Sequence, residues 1–199
     1  ISTLAGIQKI NFDGEVLESF DSTNGLPTDY NYTIYNDNEN TIWIGSDGKG
    51  LVRYKNQKMN NYAKDSTIIS ITQDKKEQIW FTSMDKGLGK LDFPGIRWFT
   101  TETGLTSTKI SGIRNDPFGR LLSIHEFGID IIQPETGEII YQGNSLGLGK
   151  WKQNMNNFTR DDSESVSIGI PGHIIQYHPE INYHAKPRLV ENNIQCGEV

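Results

Sequence analysis

Residues 37–54 read Asp-Asn-Glu-Asn-Thr-Ile-Trp-Ile-Gly-Ser-Asp-Gly-Lys-Gly-Leu-Val-Arg-Tyr, and residues 74–91 read Asp-Lys-Lys-Glu-Gln-Ile-Trp-Phe-Thr-Ser-Met-Asp-Lys-Gly-Leu-Gly-Lys-Leu. Asp37 and Asp74, Trp43 and Trp80, Gly50 and Gly87, and Leu51 and Leu88 each stand 37 residues apart. A third copy carries Asp116, then Leu122-Ser123-Ile124 in place of the Trp core, then Gly128-Ile129, its Gly 41 residues after Gly87. A fourth carries Ser167-Ile168-Gly169 and Gly172, and Gly6-Ile7 marks a partial copy at the start of the chain. The connections repeat too: Asn24-Gly25-Leu26 returns as Thr103-Gly104-Leu105 and, more loosely, as Gly147-Leu148. A period drifting between 37 and 44 residues is that of β-propeller blades rather than of helical arrays.

Each repeat holds four short β-type runs, in the second copy near 67–72, 78–83, 87–92 and 96–101, with turn residues between them. Alternation at Ile69 and Ile71 and at Ile79 and Phe81 turns one side of each strand inward. Four antiparallel strands per unit make a propeller blade. The Gly opening the third strand follows a tight turn, where a positive φ is cheapest without a Cβ. The Trp of the second strand suits the gap between neighbouring blades, being a large ring with one polar edge. The recurring Asp37, Asp74 and Asp116 read as turn stabilisers, since Asp bonds its own backbone two residues on.

The chain has 199 residues, a formal charge of −6, 35% apolar and 22% charged residues, 20 Gly and one Cys. That composition fits an all-β protein, with aromatics in the core and Gly in the turns. It excludes disorder, and no run approaches the roughly 20 apolar residues of a membrane-spanning helix. Mild acidity argues against a nucleic-acid face. A single Cys196 excludes an internal disulfide or a Cys-based zinc site. Beginning at Ile1 with neither Met nor signal segment, the sequence reads as an internal piece of something longer.

The run Gly25-Leu26-Pro27, then a stretch ending in Asp37, then Trp43-Ile44-Gly45-Ser46 and Gly50-Leu51-Val52-Arg53-Tyr54 resembles the two-component regulator propeller repeat. The likeness is clearest in 25–54, returns in 74–91 and is degraded in 104–132. It implies a sevenfold propeller in the periplasmic sensor region of a bacterial hybrid two-component histidine kinase, followed by a three-tyrosine β-sandwich. Pro187-Arg188-Leu189-Val190-Glu191 is similar to the opening strand of that sandwich. The expected organisation is a partial propeller over 1–180, with a half blade at 1–24 supplying two outer strands. Blades follow at about 25–66, 67–103, 104–147 and 148–180, and 181–199 is a linker with that first strand. Four to five blades do not close a sevenfold ring. An open arc is therefore expected, with Ile7, Ile10, Val16 and Leu17 near a raw edge covered by the parent's remaining blades or a second copy.

Gly143-Asn144-Ser145-Leu146-Gly147 matches a nucleophile-elbow pattern, but it lies on an inter-blade connection with no helical pattern after it. Gly87-Leu88-Gly89-Lys90 lacks the spacing and helix of a phosphate loop. His173, His178 and His184 have no spacing that converges on a metal, and His178 and His184 read as surface residues. His125 is placed in the turn after the second strand of the third copy, as a solvated loop residue. Lys75-Lys76 and Lys150-Trp151-Lys152 read as solvated turns. No pair of carboxylates is singled out for glycoside hydrolysis.

Loops joining second to third strands, and one blade to the next, gather on one face and carry binding on a rigid scaffold. That places Tyr30, Asp47, Lys49, Asp85, Lys86, Lys109, His125 and Trp151 as ligand contacts, with no catalytic residue, cofactor or metal. Aromatics beside polar groups suit a sugar, and the family resemblance implies an oligosaccharide from a degraded polysaccharide. The reading is a non-enzymatic, periplasmic sensor module. Its alternatives are a propeller lyase or glycosidase and a protein-interaction scaffold, because fold alone does not choose between them.

Overall fold

The computed structural model describes residues 1–143, 150, 155–160, 165–179 and 188–193. Nearly all of them lie in antiparallel strands or tight turns, with one 3-10 turn at Thr101–Thr103. The first sheet holds β1 (Ser2–Thr3), β2 (Gly6–Ile10) and β3 (Val16–Phe20) in that order. The second holds β4 (Asn31–Asn36), β5 (Ile42–Ser46), β6 (Gly50–Lys55) and β7 (Lys58–Tyr62), and the third β8 (Ile68–Gln73), β9 (Ile79–Ser83), β10 (Gly87–Asp92) and β11 (Gly95–Phe99). The fourth holds β12 (Ile110–Asn115), β13 (Leu121–His125), β14 (Gly128–Ile132) and β15 (Ile139–Gln142). The fifth holds β16 (Phe158–Arg160), β17 (Val166–Ile170), β18 (His173–His178) and β19 (Arg188–Asn193). Each is an up-and-down meander, the strand order of a propeller blade. The would-be phosphate loop at Gly87 is part of β10.

Two differences from the sequence reading concern the ends. The N-terminal sheet has three strands rather than two, because Ser2 and Thr3 pair with Ile7 and Gly6. Arg188–Asn193, expected to open a following sandwich, pairs along its whole length with β18 and is the outer strand of the fifth sheet. A short apolar-polar run is β-prone in either setting; its partner strand decides which sheet it joins.

The chain forms two compact units, Ile1–Trp98 and Phe99–Val199. In the first, Trp43 packs with Ile68, Ile71, Ile79, Phe81 and Leu91, joining the second sheet to the third. Ile7, Leu26, Ile44 and Val52, backed by Phe20, Ile34 and Met59, join the first sheet to the second. Ile10, Val16 and Leu17 are exposed, whereas Ile7 is buried. In the second unit, Leu122, Ile124, Ile129 and Ile131 pack against Val166, Ile168, Ile175 and Tyr177, face to face between the fourth and fifth sheets.

One hydrogen-bonded device organises the turn between first and second strands. Asp37 Oδ1 accepts from the backbone N–H groups of Glu39 and Thr41, and its Oδ2 accepts from Trp43 Nε1 at 2.8 Å. Asp74 repeats the pattern with Lys76, Gln78 and Trp80 Nε1, again at 2.8 Å. Both indoles are buried, at 3% and 0% exposure. In the third copy the turn is kept, with Asp116 accepting from the N–H groups of Phe118 and Arg120. Leu122 stands where the Trp was, so Asp116 Oδ2 accepts instead from Arg120 Nε at 2.6 Å and from the Tyr177 hydroxyl at 3.1 Å. Tyr177 in turn accepts from the Arg120 guanidinium at 2.9 Å. Burial and the Asp116 charge raise the Tyr177 phenol well above its ordinary range, so it stays protonated and can donate.

The Gly that opens each third strand answers a steric demand. Gly50 has φ of 90°, and a Cβ there would run into the carbonyl oxygens of Tyr62 and Ala63. Gly6, Gly87 and Gly128 share the positive φ.

Trp43→Ala should lower stability by roughly 3–5 kcal/mol in urea unfolding, as expected for a large core aromatic. A cost near zero would remove the ring from its packing role. Burial pushes the Asp37 carboxyl up, but the hydrogen bonds from Trp43, Thr41 and Glu39 outweigh it and hold the group below its ordinary value. The stability it contributes is therefore fully present above the unfolded pKa of about 3.9 and lost as pH falls through the lower folded value. Asp37→Asn should be less stable than wild type at pH 7, and the gap should close in thermal melts on acidification below that range.

Candidate functional site

In the first unit, the ends of the strands at the β5–β6 and β9–β10 turns are tied into one row. Asp47 N–H donates to the Tyr30 carbonyl at 3.0 Å. Thr67, just ahead of β8, donates its hydroxyl to Asp47 Oδ1 and accepts from Gly48 N–H. Its carbonyl accepts from Met84 N–H, the first residue of the β9–β10 turn. Within that turn Ser83 donates to Asp85, and Lys86 Nζ lies 5.8 Å from the Trp98 ring centre. Lys49 is exposed, its carbonyl held by Asn61. Tyr30, Asp47, Lys49, Asp85 and Lys86 thus sit at one end of these sheets, as the spacing of the turns predicts.

Tyr30 also lines an open groove of about 510 Å3 with Ser2, Thr3, Leu4, Asn31 and Tyr32. The Ser2 hydroxyl donates to the Asn31 carbonyl, which fixes β1 against the start of β4. Tyr30 and Tyr32 are 59% and 41% exposed, two large rings on one groove. Tyr32 and Thr67 escaped the sequence reading: Tyr32 falls on a strand position that should alternate inward or outward, and nothing local marks Thr67 as a link. The β4 register slips between Asn31 and Thr33, and Tyr32 lies within the slip; the same slip in β8, between Ile68 and Ser70, holds the buried Ile69.

In the second unit, Lys109 is exposed immediately before β12. His125 is not a loop residue. It ends β13 and is fully buried. The turn after it is one residue shorter than in the earlier copies, so His125 takes the strand-end place of the buried Ser46 and Ser83 rather than that of Asp47 or Asp85. Its Nδ1 accepts from Phe127 N–H at 3.2 Å, and its Nε2 lies 3.4 Å from Asp130 Oδ2. The ring stacks on Tyr141 at 6.0 Å and 24°. Asp130, itself buried, accepts from Thr106 N–H and hydroxyl, and Tyr141 donates to the Phe127 carbonyl. Burial and then the Asp130 charge raise the Tyr141 phenol. This cluster shapes the β13–β14 turn from beneath, and a ligand on the surface does not touch His125.

Trp151, Ser145 and His184 lie outside the described residues. His178 is exposed and His173 half-buried. Among the described residues, no three His, Cys, Asp or Glu side chains are grouped to hold a metal, and no helix is long and apolar enough to cross a membrane.

Thr67→Val keeps shape and removes the hydroxyl that joins the two turns. It should cost about 0.5–1.5 kcal/mol and speed amide exchange at Gly48 selectively. Unchanged exchange there would show that the turns hold themselves.

Residues 25–48 match the family described as two component regulator propeller. No curated protein matches the chain in sequence. Among solved structures, the extracellular domain of the hybrid two component system BT4673 from B. thetaiotaomicron superposes with a TM-score of 0.74 at 18% identity, over 93% of this chain and 27% of that one. The corresponding domain of BT3049 from the same organism gives 0.71 at 21%, over 99% and 31%. Virginiamycin B lyase from Staphylococcus aureus gives 0.71 at 19%, over 94% and 62%. The chain therefore spans about a quarter to a third of the two ectodomains and under two thirds of the lyase. At these identities the likeness is one of fold, shared by sensors and an enzyme alike. The family match at 25–48 takes in the first part of the repeat at 37–54, and the repeats at 37–54 and 74–91 lie on four-stranded antiparallel sheets of propeller type.

Proposed function

We propose that this segment is a non-catalytic, extracytoplasmic sensor module of a two-component signalling histidine kinase, lying in the periplasm and binding an oligosaccharide. The sensor reading is supported by the repeat at 25–48 and by the fold shared with extracellular domains of hybrid two component systems. The ligand reading rests on one observation: two half-exposed tyrosine rings share a groove with the exposed Leu4 and with Ser2, Thr3 and Asn31. Sugar rings present C–H faces that lie against aromatics and hydroxyls that need hydrogen-bond partners. Tyr30 and Tyr32 supply the platform, and Asp47, Lys49, Asp85 and Lys86 flank it on the turns. Lys109 is a candidate contact of the second unit. The remaining blades and signalling domains of the parent protein are its partners. They cover the exposed Ile10, Val16 and Leu17 and carry the signal across the membrane.

A panel of neutral and acidic oligosaccharides, screened by calorimetry, tests this. Tyr30→Ala and Tyr32→Ala should each weaken the best ligand about tenfold, or about 1.4 kcal/mol. Recovered sugars should keep their length. Shortened products would instead favour a lyase or glycosidase, and a panel without any ligand would favour a protein-interaction scaffold.

A further inference from the structure

The opposite end of the second and third sheets holds a second, chemically different cavity. It measures about 280 Å3 and is lined by Asp37, Thr41, Trp43, Arg53, Ile79, Leu91 and Phe93, with Glu39, Gln73 and Glu77 completing the wall. All of these belong to the first unit, so the cavity is formed within one compact body.

Its charges are arranged unevenly. Asp37 is committed to Trp43 Nε1 and two backbone N–H groups. Glu39 is bridged by Lys55. Arg53 is half-buried on β6, directly opposite Trp43 in the β5–β6 register, with its guanidinium carbon 6.0 Å from the centre of the indole. Among the described residues no carboxylate lies within ion-pairing distance of it, although three carboxylates line the same cavity. Stacking on a ring uses the face of a guanidinium and leaves its N–H edge available, and that edge matches the two oxygens of a carboxylate. A cation opposite the Trp is itself a repeat feature, since Lys90 stands opposite Trp80 at 5.1 Å. In the second sheet that cation is the forked guanidinium. Beyond it, Ile79, Leu91 and the 64%-exposed Phe93 give an apolar wall. Glu77 at the rim disfavours a ligand with a second negative charge.

We propose that this cavity binds a small monocarboxylate with an apolar body, its carboxylate on the Arg53 edge and its body against Ile79, Leu91 and Phe93. The site is independent of the Tyr30–Tyr32 groove, which is lined from β1 and the start of β4, and neither reading depends on the other.

The probe is 3-phenylpropanoate, titrated into the 15N-labelled chain. The reporter is the Trp43 indole N–H, which lines the cavity and is held by Asp37. The expected result is a saturable shift of that resonance, with Gly48 at the opposite end undisturbed. The neutral amide, 3-phenylpropanamide, should bind roughly tenfold or more weakly to the same unaltered protein, as should the acid to Arg53→Gln. Phe93→Ala should weaken acid and amide alike. Equal binding of acid and amide overturns the proposal without relying on any variant. So does an Arg53→Gln protein that melts like wild type and binds the acid equally well, or a shift that appears at Gly48 and not at Trp43.

Discussion

A buried indole N–H must find an acceptor, and for Trp43 and Trp80 the acceptor is the aspartate six residues earlier. That single requirement fixes a great deal. The same carboxylate collects two backbone N–H groups, so it sets the conformation of the turn, and the turn sets the pairing of first strand with second. The pairing then aims the ring at the neighbouring sheet, where Trp43 meets Ile68, Ile71 and Leu91. An unpaired indole or carboxylate in that place would carry a desolvation cost of about 1–3 kcal/mol or more, so neither partner is easily changed alone. The fourth sheet shows what changing both requires. With Leu122 in the ring's place, the carboxylate of Asp116 keeps its turn and recruits Arg120 and, from the next sheet, Tyr177. A local bond between turn and strand has become a bond between sheets.

With one end of the second, third and fourth sheets committed to this device, the other end is free to vary. The glycines at the start of the third strands hold the close backbone approach, while the two- or three-residue turns before them differ in length and chemistry. In the first unit the longer turns project Asp47 and Asp85 into solvent and are tied together through Thr67. In the second unit the shorter turn draws His125 into the sheet against Asp130 and Tyr141. The same framework position thus holds a serine in two copies and a buried imidazole in the third. Adjacent copies can differ in what they present without a change in how they pack.

Two of the cavities of the first unit follow from the same geometry. The groove beside Tyr30 and Tyr32 is open and lined also by Ser2, Thr3, Leu4 and Asn31; the one beside Arg53 pairs a cation with an apolar wall. The first lies where strands begin and inter-sheet connections arrive, and the second lies where the Asp–Trp device keeps the turn rigid. Recognition chemistry at the two ends is therefore of different kinds within one compact unit.

By itself the sequence determined the repeat, the four-stranded unit, the inward Trp, the turn-forming Asp and the Gly that opens each third strand. All of these are local: a turn's φ, an alternation of side chains, a carboxylate reaching the next few N–H groups. What only the tertiary structure decided is where a residue's partner comes from a distant segment. Arg188–Asn193 reads as a strand in any context, and its pairing with β18 assigns it to the fifth sheet. His125 reads as a loop residue by alignment with Asp47, and a turn shorter by one residue buries it as a strand end. Thr67 owes its role to two turns it meets in space, and Tyr177 its buried hydroxyl bonds to a carboxylate 61 residues away. Local chemistry is written in neighbouring letters. Pairing across sheets depends on burial and geometry that no short stretch contains.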